Sequence, residues 1–418
     1  MKSNYKRLGD YIHKVDNRNT DLKVTKLLGL SMTKEFRETT SNTVGTDMSI
    51  YKVMSKWQFA CDFMSVIRVY KLPVVLKTDD EPNLVSPAYP VFEVNDTNEL
   101  HPEYLMMWFR RTEFDRYAFF KCDSAIRGGF DWVELCNTTL PIPSINKQKE
   151  IVKEYNVLVN RINLNYRLIQ KIEETAQVIY KHWFVDYEFP DENGKPYKSN
   201  GGEMEFNKVL NIEIPKGWEV ERLGDLIDYK KGYAFQSNDY IEKGVPIVRV
   251  SDFKDKSIDI TSCYYIAENQ AQEYSQYKLK TNDIIISTVG SWPNNPLSIV
   301  GKVVIVPELA NNSLLNQNAV RLRSKKTGNL FLYYRLIEKD FSDFVISGAQ
   351  GSANQASVTL EHLFNFNITV PSSKVGSKLE FIFNILNENI MIKRKVNYFL
   401  ESLKDILLSK LATLEDNL

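Results

Sequence analysis

Basic and amide side chains in short polar stretches are the residues of this chain whose types could contact nucleic acid. Arg can address guanine, Asn and Gln can address adenine, and aromatic or small groups can contact the thymine methyl. The candidates in the first half of the sequence are Lys52, Trp57, Gln58, Ser124 and Arg127. Those in the second half are Lys230, Lys231, Gln236, Asn238, Asn294, Asn295, Ser352, Asn354 and Gln355. Solvated loops have the same composition, so residue type alone does not distinguish a DNA contact from a solvated loop. The elements that hold these residues must be considered next.

The two halves of the chain repeat each other. Pro143-Ser144 recurs as Pro371-Ser372, and the stretch before it from Ser124 recurs from Ser352 at the same offset. Further ordered matches are Arg7-Leu8-Gly9-Asp10 with Arg222-Leu223-Gly224-Asp225, and Tyr51-Lys52-Val53 with Tyr277-Lys278-Leu279. Because four matches keep the same order, we interpret the chain as a duplication. A two-armed protein is suited to a bipartite target, and DNA is the leading candidate.

Composition indicates a globular protein of two or three domains. The 418 residues are 43% hydrophobic and 25% charged, and 53 basic residues balance 53 acidic ones. A neutral chain should bind DNA weakly by itself, because phosphate neutralisation supplies most non-specific affinity. Either the basic residues are concentrated on one face, or a partner subunit supplies the remaining contacts with DNA.

Nothing in the sequence predicts membrane insertion, a metal site or disulfides. The amino terminus lacks an apolar segment, and no run approaches the roughly 18 residues of a membrane span. The four cysteines show no C-x-x-C pair, and the four histidines are scattered. We therefore expect a cytoplasmic protein with reduced thiols and no bound metal.

Each arm is predicted to be α+β. Short apolar runs bounded by turn residues are typical of strands. The predicted strands include Val66-Ile67-Arg68-Val69-Tyr70, Val91-Phe92-Glu93-Val94, Ile247-Val248-Arg249-Val250, Ile284-Ile285-Ile286 and the run from Ile299 to Val306. Short helices are predicted to begin near His101 and Asn329.

A long amphipathic helix is predicted to follow each arm. In the first, the seam positions alternate by four and three residues, which is a heptad pattern with one polar interruption. They are Ile151, Tyr155, Leu158, Ile162, Asn165, Ile169, Ile172, Ala176, Ile179 and Trp183. The second seam is looser, with Leu379, Phe383, Leu386, Ile390, Leu400, Leu407 and Leu411 interrupted by Lys393, Asn397 and Lys404. A simple domain-packing helix is the alternative interpretation.

Helices of about 40 residues would form rods of about 60 Å. If the two rods pack antiparallel, a pseudo-twofold axis relates the arms, and the arms can read two unlike half-sites in inverted orientation. The polar, turn-rich stretch around Pro190 and Gly201-Gly202 is predicted to be the loop into the second arm.

The order of these features resembles the specificity subunit of type I restriction-modification systems over essentially the whole chain. The residues that carry the resemblance are Leu140-Pro141-Ile142-Pro143, the helix start Lys147-Gln148-Lys149-Glu150, and Gly351-Ser352-Ala353-Asn354-Gln355. The first half departs at the glycine, with Asp123, Ser124 and Arg127. The second helix starts with Lys374-Val375-Gly376-Ser377 instead of an acidic residue and glutamine.

The resemblance implies a domain plan. It places target-recognition domains at 1–143 and 216–371, spacer helices at 144–187 and 372–418, and a linker loop at 188–215. The helices would dock partner subunits through residues that include Ile151, Leu158, Leu164, Leu168, Leu379, Leu386, Ile392 and Leu403.

The resemblance also implies a non-catalytic subunit. Its partners would be double-stranded DNA, two modification subunits that use S-adenosylmethionine, and two restriction subunits that use ATP and Mg, whereas this chain would bind no cofactor. The sequence agrees, since it has no G-x-x-x-x-G-K-[ST] loop. Ser86-Pro87-Ala88-Tyr89 superficially resembles an adenine methyltransferase motif, but we interpret it as a structural turn. Pro190-Asp191-Glu192 with Lys195 resembles a nuclease triad, but it lies in the predicted linker.

Two other classes of function remain open. A structural adaptor with two protein-binding arms would have the same repeat and helices, but would not retain DNA. An enzyme with a duplicated catalytic domain is least favoured, because its two arms should share one polar constellation. Here the arms share scaffold positions and differ in their polar loops.

Overall fold

A computed structural model describes residues 5–39, 45–122, 130–293, 299–352 and 354–413. Two compact units divide the chain. Unit 1 is formed by Met1–Leu164 with Tyr398–Leu418, and unit 2 by Asn165–Asn397. Both long helices cross this division, so each unit contains a part of each helix.

Unit 1 is an α+β domain. Its strands are β1 Tyr5–Arg7, β2 Ile12–Val15, β3 Leu28–Leu30, β4 Phe36–Glu38, β5 Lys52–Met54, β6 Phe59–Cys61, β7 Val74–Leu76, β8 Asn83–Val85, β9 Val91–Val94 and β10 Thr139–Pro141. Its helices are α1 Val66–Val69, α2 Pro102–Phe109, α3 Thr112–Cys122, α4 Trp132–Asn137 and the start of α5 Ile145–Phe184. Short 3-10 turns occupy Leu8–Asp10, Met48–Ile50, Phe63–Ser65 and Leu411–Thr413.

Unit 2 has the same class of fold. Its strands are β11 Met204–Asn207, β12 Ile212–Pro215, β13 Glu219–Arg222, β14 Ile227–Lys231, β15 Val245–Val248, β16 Phe253–Lys254, β17 Ser257–Ile258, β18 Tyr264–Ile266, β19 Ile284–Ser287, β20 Val289–Gly290, β21 Val303–Ile305, β22 Leu314–Leu315, β23 Ala319–Ser324, β24 Gln350–Ser352, β25 Gln355–Ser357 and β26 Asn367–Val370. Its helices are α6 Leu223–Leu226, α7 Glu268–Glu273, α8 Asn329–Leu336, α9 Lys339–Ser347, α10 Leu360–Phe364 and most of α11 Ser373–Lys410. The 3-10 turns are Ser237–Asp239, Val250–Asp252, Ile260–Ser262, Ser275–Tyr277 and Glu308–Ala310.

The two units share one topology. A four-stranded antiparallel sheet has the order β2-β9-β6-β7 in unit 1 and β14-β23-β19-β21 in unit 2. In each unit, the strand that precedes this sheet pairs with the strand that leads into a long helix. Arg7 lies opposite Thr139, and Arg222 lies opposite Asn367. Because these registers match residue for residue, the repeat predicted from the sequence is confirmed as a structural repeat.

The repeated glycines explain why Arg-Leu-Gly-Asp occurs twice. A Cβ on Gly9 would lie 2.8 Å from the Cβ of Cys136, and a Cβ on Gly224 would lie 2.9 Å from the Cβ of Phe364. Cys136 belongs to α4 and Phe364 to α10, the equivalent short helices. Only glycine permits this close approach without a shift of the backbone.

Different residues stabilise the equivalent helices α2 and α8. In unit 1 the fully buried Gln148 of α5 accepts a hydrogen bond from the His101 backbone N–H and donates to the Glu99 and Pro143 carbonyls. In unit 2 the matching position is Gly376, and Glu380 one turn later accepts from the N–H groups of Leu330 and Phe331 at the start of α8. The unusual start of the second long helix is therefore compensated one turn further along.

The predicted long helices are confirmed, and most of the first seam is buried. Ile151, Tyr155, Ile162, Asn165, Ile169 and Ala176 are all at most 6% exposed. Within unit 2 the Asn165 amide donates to the Asn397 amide oxygen at 2.7 Å, and Arg394 donates to Glu173 at 2.8 Å. These pairs run in opposite chain directions, so the two helix segments of unit 2 are antiparallel.

Two stretches differ from their predicted structure. Val66–Val69 is helical and not a strand, because Asp62 accepts the Ser65 N–H and starts a helical turn that Tyr70 ends in the left-handed region. The predicted linker loop 188–215 contains the hairpin β11–β12 and packs on unit 2 through Phe189, whose ring stacks on Trp218 at 5.1 Å. Its aromatic residues bury apolar area that a free linker would expose.

Candidate nucleic-acid interface

One end of the unit 2 sheet collects four of the polar residues that the sequence singled out, Lys231, Ser352, Asn354 and Gln355. We name this surface the loop end of unit 2 and define it as residues 231–233, 289–292, 316–318, 350–352 and 354–357. Backbone hydrogen bonds join these segments, since Gly232 and Thr288 donate to the carbonyls of Ala319 and Asn318. Val358 in turn donates to the Thr288 carbonyl. Segments far apart in the sequence therefore form one surface.

Lys230 and an aromatic cluster border the loop end of unit 2. The Lys230 ammonium donates to the Gln276 side chain at 2.6 Å and lies 5.0 Å from the centre of the Tyr277 ring. Tyr233 contacts the rings of Phe235, Tyr274 and Tyr277 at 4.8–5.3 Å. Exposed aromatic rings beside fixed cations are typical of surfaces that contact nucleic acid.

Gly232 allows the Tyr233 backbone to cross next to the turn 316–318. A Cβ at Gly232 would collide with the Asn316 carbonyl. The following residue, Tyr233, donates its N–H to the Leu315 carbonyl, and its side chain remains 37% exposed. The exposed Lys231 and Gln317 flank this crossing.

The hairpin β24–β25 forms the other part of the loop end of unit 2. Ser352 pairs with Gln355 across its tip, and both side chains are exposed, as is Asn354. The buried Ala356 anchors the hairpin, and the Trp292 indole N–H donates to the Ser352 carbonyl at 2.8 Å. A two-stranded ribbon of this kind has dimensions that a DNA major groove admits.

The corresponding loop end of unit 1 is defined as residues 16–18, 86–89 and Lys52. Lys52 is only 12% exposed, donates to the Tyr89 carbonyl at 2.8 Å and lies 3.7 Å from Asp16. Burial lowers the pKa of Lys52, although Asp16 opposes that shift. Lys52 therefore supports this surface from beneath and presents little of its charge to a ligand.

Trp57 and Gln58 lie at the opposite end of the unit 1 sheet. Gln58 is buried, accepts from the Ser55 N–H and donates to Glu93 at 2.9 Å. We therefore withdraw Gln58 as a base contact, because its amide is consumed inside the unit. Trp57 is half-buried and contacts the His101 ring. The structure does not bring these two residues together with Lys52.

The remaining predicted contact residues have varied placements. Gln236 and Asn238 are exposed next to the aromatic cluster of unit 2. Ser124, Arg127, Asn294 and Asn295 lie outside the described residues. Sequence reasoning did not include Arg18, Tyr233 and Gln317 among the contact residues. The signal for Arg18 and Tyr233 was their position just after the strand that begins each repeated sheet.

The predicted partner-binding residues on the long helices fall into three groups. Ile151 and Leu379 are buried in the cores of units 1 and 2, so we withdraw them from a partner surface. Leu158 and Leu386 are half-buried. The other four are exposed, with exposed fractions of 38–61% at Leu164, Leu168, Ile392 and Leu403.

The groups with potential catalytic chemistry have structural roles. Asp191 accepts the backbone N–H groups of Asn193 and Lys195, and these hydrogen bonds lower its pKa, so it closes a turn. The four cysteines are buried, and burial raises the pKa of the Cys61 thiol, which disfavours the thiolate. Over the described ranges, no cluster of three His, Cys, Asp or Glu residues could hold a metal ion. No helix among these residues is long and apolar enough to cross a membrane.

The sequence of this chain is similar to those of known proteins. Residues 215–401 match the family described as the type I restriction modification DNA specificity domain. Two Methanocaldococcus jannaschii proteins, the MjaIX and MjaVIII specificity subunits of type I restriction enzymes, are 28% and 24% identical to this chain over 322 and 282 residues. The second half of the chain thus carries a type I DNA specificity domain.

The extent of the likeness to known specificity subunits differs between comparisons. The two matches cover 74% and 66% of this chain, and 68% and 62% of the relatives. The chain thus spans about two thirds of those relatives. A solved type I S subunit from M. genitalium aligns over 98% of this chain and 95% of its own, with a TM-score of 0.51 and 14% identity. That likeness concerns the fold alone.

Proposed function

We propose that this chain is the DNA sequence-specificity subunit of a type I restriction-modification complex. Units 1 and 2 each read one half of an asymmetric, bipartite DNA site. The long helices form an antiparallel coiled coil with pseudo-twofold symmetry, which sets the spacing between the half-sites. The chain itself is non-catalytic and acts in the cytoplasm.

The observation that carries this proposal is the contrast between scaffold and loop ends. The two units match in sheet order and in strand register, down to Arg7 with Thr139 and Arg222 with Asn367. Their loop ends differ in chemistry, since Asp16 and Arg18 stand where the other unit has Lys231 and Tyr233. A duplicated scaffold with different polar surfaces suits the reading of two unlike sequences.

The exposed apolar residues of the long helices are proposed to dock two modification subunits. Leu164, Leu168, Ile392 and Leu403 expose apolar area that a partner helix would bury. The modification subunits would supply S-adenosylmethionine-dependent adenine N6-methylation. Two restriction subunits would supply ATP- and Mg-dependent DNA cleavage. These cofactors would be bound by the partners, and this chain would bind none.

Salt-dependent binding of duplex DNA tests the role of the loop ends. The experiment uses the purified complex of this chain with its modification subunit and a duplex of arbitrary sequence. Lys231→Ala should weaken binding and flatten the dependence of log affinity on log salt by about 0.9, the value for one lost phosphate contact. The matched control is Lys325→Ala, an exposed lysine at the opposite end of the same sheet.

The control variant should behave as the wild type. Equal effects of the two substitutions would contradict the assignment of the loop end. Absence of salt-dependent retention of DNA by a stable wild-type complex would favour the adaptor function.

A further inference from the structure

Arg18 and Tyr233 occupy equivalent places in the two units. Each is the third residue beyond a matched position of the strand that begins the sheet, Val15 opposite Val91 in unit 1 and Lys230 opposite Arg321 in unit 2. The repeat therefore puts an arginine and a tyrosine at one structural position. Their backbone bridges differ, since Arg18 bridges Lys52 in antiparallel orientation and Tyr233 bridges Asn316 in parallel orientation.

The side chains of Arg18 and Tyr233 contact equivalent segments, 48–52 in unit 1 and 274–278 in unit 2. Tyr51 donates its N–H to the Met48 carbonyl, as Tyr277 does to the Tyr274 carbonyl. The lysine that follows pairs antiparallel with the strand just before the second strand of the sheet, Lys52 with Val85 of β8 and Lys278 with Leu314 of β22. The equivalence of Arg18 and Tyr233 therefore does not rest on the alignment of β2 with β14 alone.

The Arg18 guanidinium is fixed by hydrogen bonds in a way that suits binding to a planar acceptor. Its Nη2 lies 2.8 Å from one Asp16 carboxylate oxygen and 3.1 Å from the other, and its Nη1 donates to the Ile50 carbonyl at 2.6 Å. The side chain is still 35% exposed. A guanidinium has five N–H donors, and these contacts use at most three of them. Because Asp16 already fixes the Arg18 guanidinium, less side-chain conformational entropy would be lost when Arg18 binds a ligand.

Tyr233 presents a different chemistry at the same place. Its ring is braced by Tyr274 at 4.8 Å and Tyr277 at 5.3 Å, and a hydrogen bond with the Tyr233 hydroxyl raises the pKa of Tyr274. The exposed part of the ring is an apolar contact surface in a fixed position. Apolar groups recognise the thymine methyl in the major groove, whereas arginine recognises guanine O6 and N7.

We propose that Arg18 and Tyr233 are specificity-determining residues, with Arg18 reading a guanine in one half-site and Tyr233 reading the thymine methyl of an A·T pair in the other. This inference rests on the proposed function. It assigns a base class to each half and requires that the two residues act on different halves of the target.

The test maps N6-methyladenine in a methylation-free host that co-expresses this chain and its modification subunit. Arg18→Lys keeps the charge and loses the bidentate fork, so it should reduce discrimination for guanine at one position roughly 10- to 100-fold. Tyr233→Ala should reduce selectivity for an A·T pair at one position of the other half-site. Tyr233→Phe keeps the ring and should retain the wild-type motif.

Matched controls are Arg116→Lys and Tyr264→Ala, which alter exposed residues outside the segments that define the loop ends. Both should leave the motif unchanged. Relaxation of the same half-site by both test variants, or an unchanged motif with either folded variant, would overturn the inference. If Arg18→Lys lowers the melting temperature so far that no complex forms, Asp16→Asn decides instead, and an unchanged motif with that variant would overturn the role of Arg18. A wild-type complex that methylates no motif would instead refute the proposed function.

Discussion

Gly9→Ala tests whether the repeated Arg-Leu-Gly-Asp motif exists for packing. The new methyl group would lie 2.8 Å from the Cys136 Cβ and 3.1 Å from the Cys136 carbonyl oxygen, well inside van der Waals contact. Neither atom belongs to a flexible side-chain end, so the backbone of α4 or of the turn Leu8–Asp10 must move. Overpacking of this kind costs about 1–3 kcal/mol of unfolding free energy.

The cost should be measurable by thermal unfolding of the purified complex with the modification subunit. A loss of 1 kcal/mol lowers the melting temperature by roughly 2–4 °C for a domain of 150–250 residues. Gly29→Ala is the matched control, because its methyl group would meet only the Arg37 side chain, at 3.5 Å. That control should shift the melting temperature much less.

The equivalent substitution Gly224→Ala should cost a similar amount, since its methyl group would lie 2.9 Å from the Phe364 Cβ. If units 1 and 2 unfold in separate transitions, Gly9→Ala should lower only the first unit's transition and Gly224→Ala only the second's. Equal melting temperatures for Gly9→Ala and Gly29→Ala would refute the packing explanation of the repeat.

Two further predictions concern buried polar groups. Burial raises the pKa of the Glu380 carboxyl, so folding favours its protonated form and the stability of unit 2 should fall as pH rises through that pKa. Glu380→Gln should abolish this dependence on pH but lose one of the two hydrogen bonds, because its amide NH2 cannot accept from Leu330 or Phe331. Glu380→Ala should be less stable still, because both N–H groups lose their acceptor. A wild type that gains stability relative to Glu380→Gln as pH rises would contradict the sign of the pKa shift. Asn397→Leu should lower the free energy of unfolding by about 1–3 kcal/mol, because it removes the acceptor of the buried Asn165 amide. The double variant with Asn165→Leu should recover that loss. Denaturant unfolding measures both, and a double variant less stable than Asn397→Leu alone would count against the pairing.

The long helices and the repeat could be predicted because their signals are periodic. A heptad pattern persists over ten positions from Ile151 to Trp183, and a duplication leaves matches in a fixed order. Short segments are less determined. The run at Val66–Val69 has strand-forming residues, yet the Asp62 cap that starts a helical turn is a single local hydrogen bond that composition does not reveal.

The candidate interface could be predicted only in part. Residue type correctly singled out exposed side chains such as Lys231 and Gln355, but it also selected Gln58, whose amide bonds to Glu93 across 35 residues of sequence. Such pairing depends on the register of β6 with β9. Arg18 and Tyr233 became recognisable as counterparts only when the two sheets could be compared strand by strand.

The most direct test of the proposed function is a methylome of the wild-type complex. This chain and its modification subunit are co-expressed in a host without N6-adenine methylation, and N6-methyladenine is mapped across the genome. We expect a single split motif with two unlike half-sites and a constant gap. A stable complex that methylates no such motif would contradict the proposal that the two units read a bipartite DNA sequence.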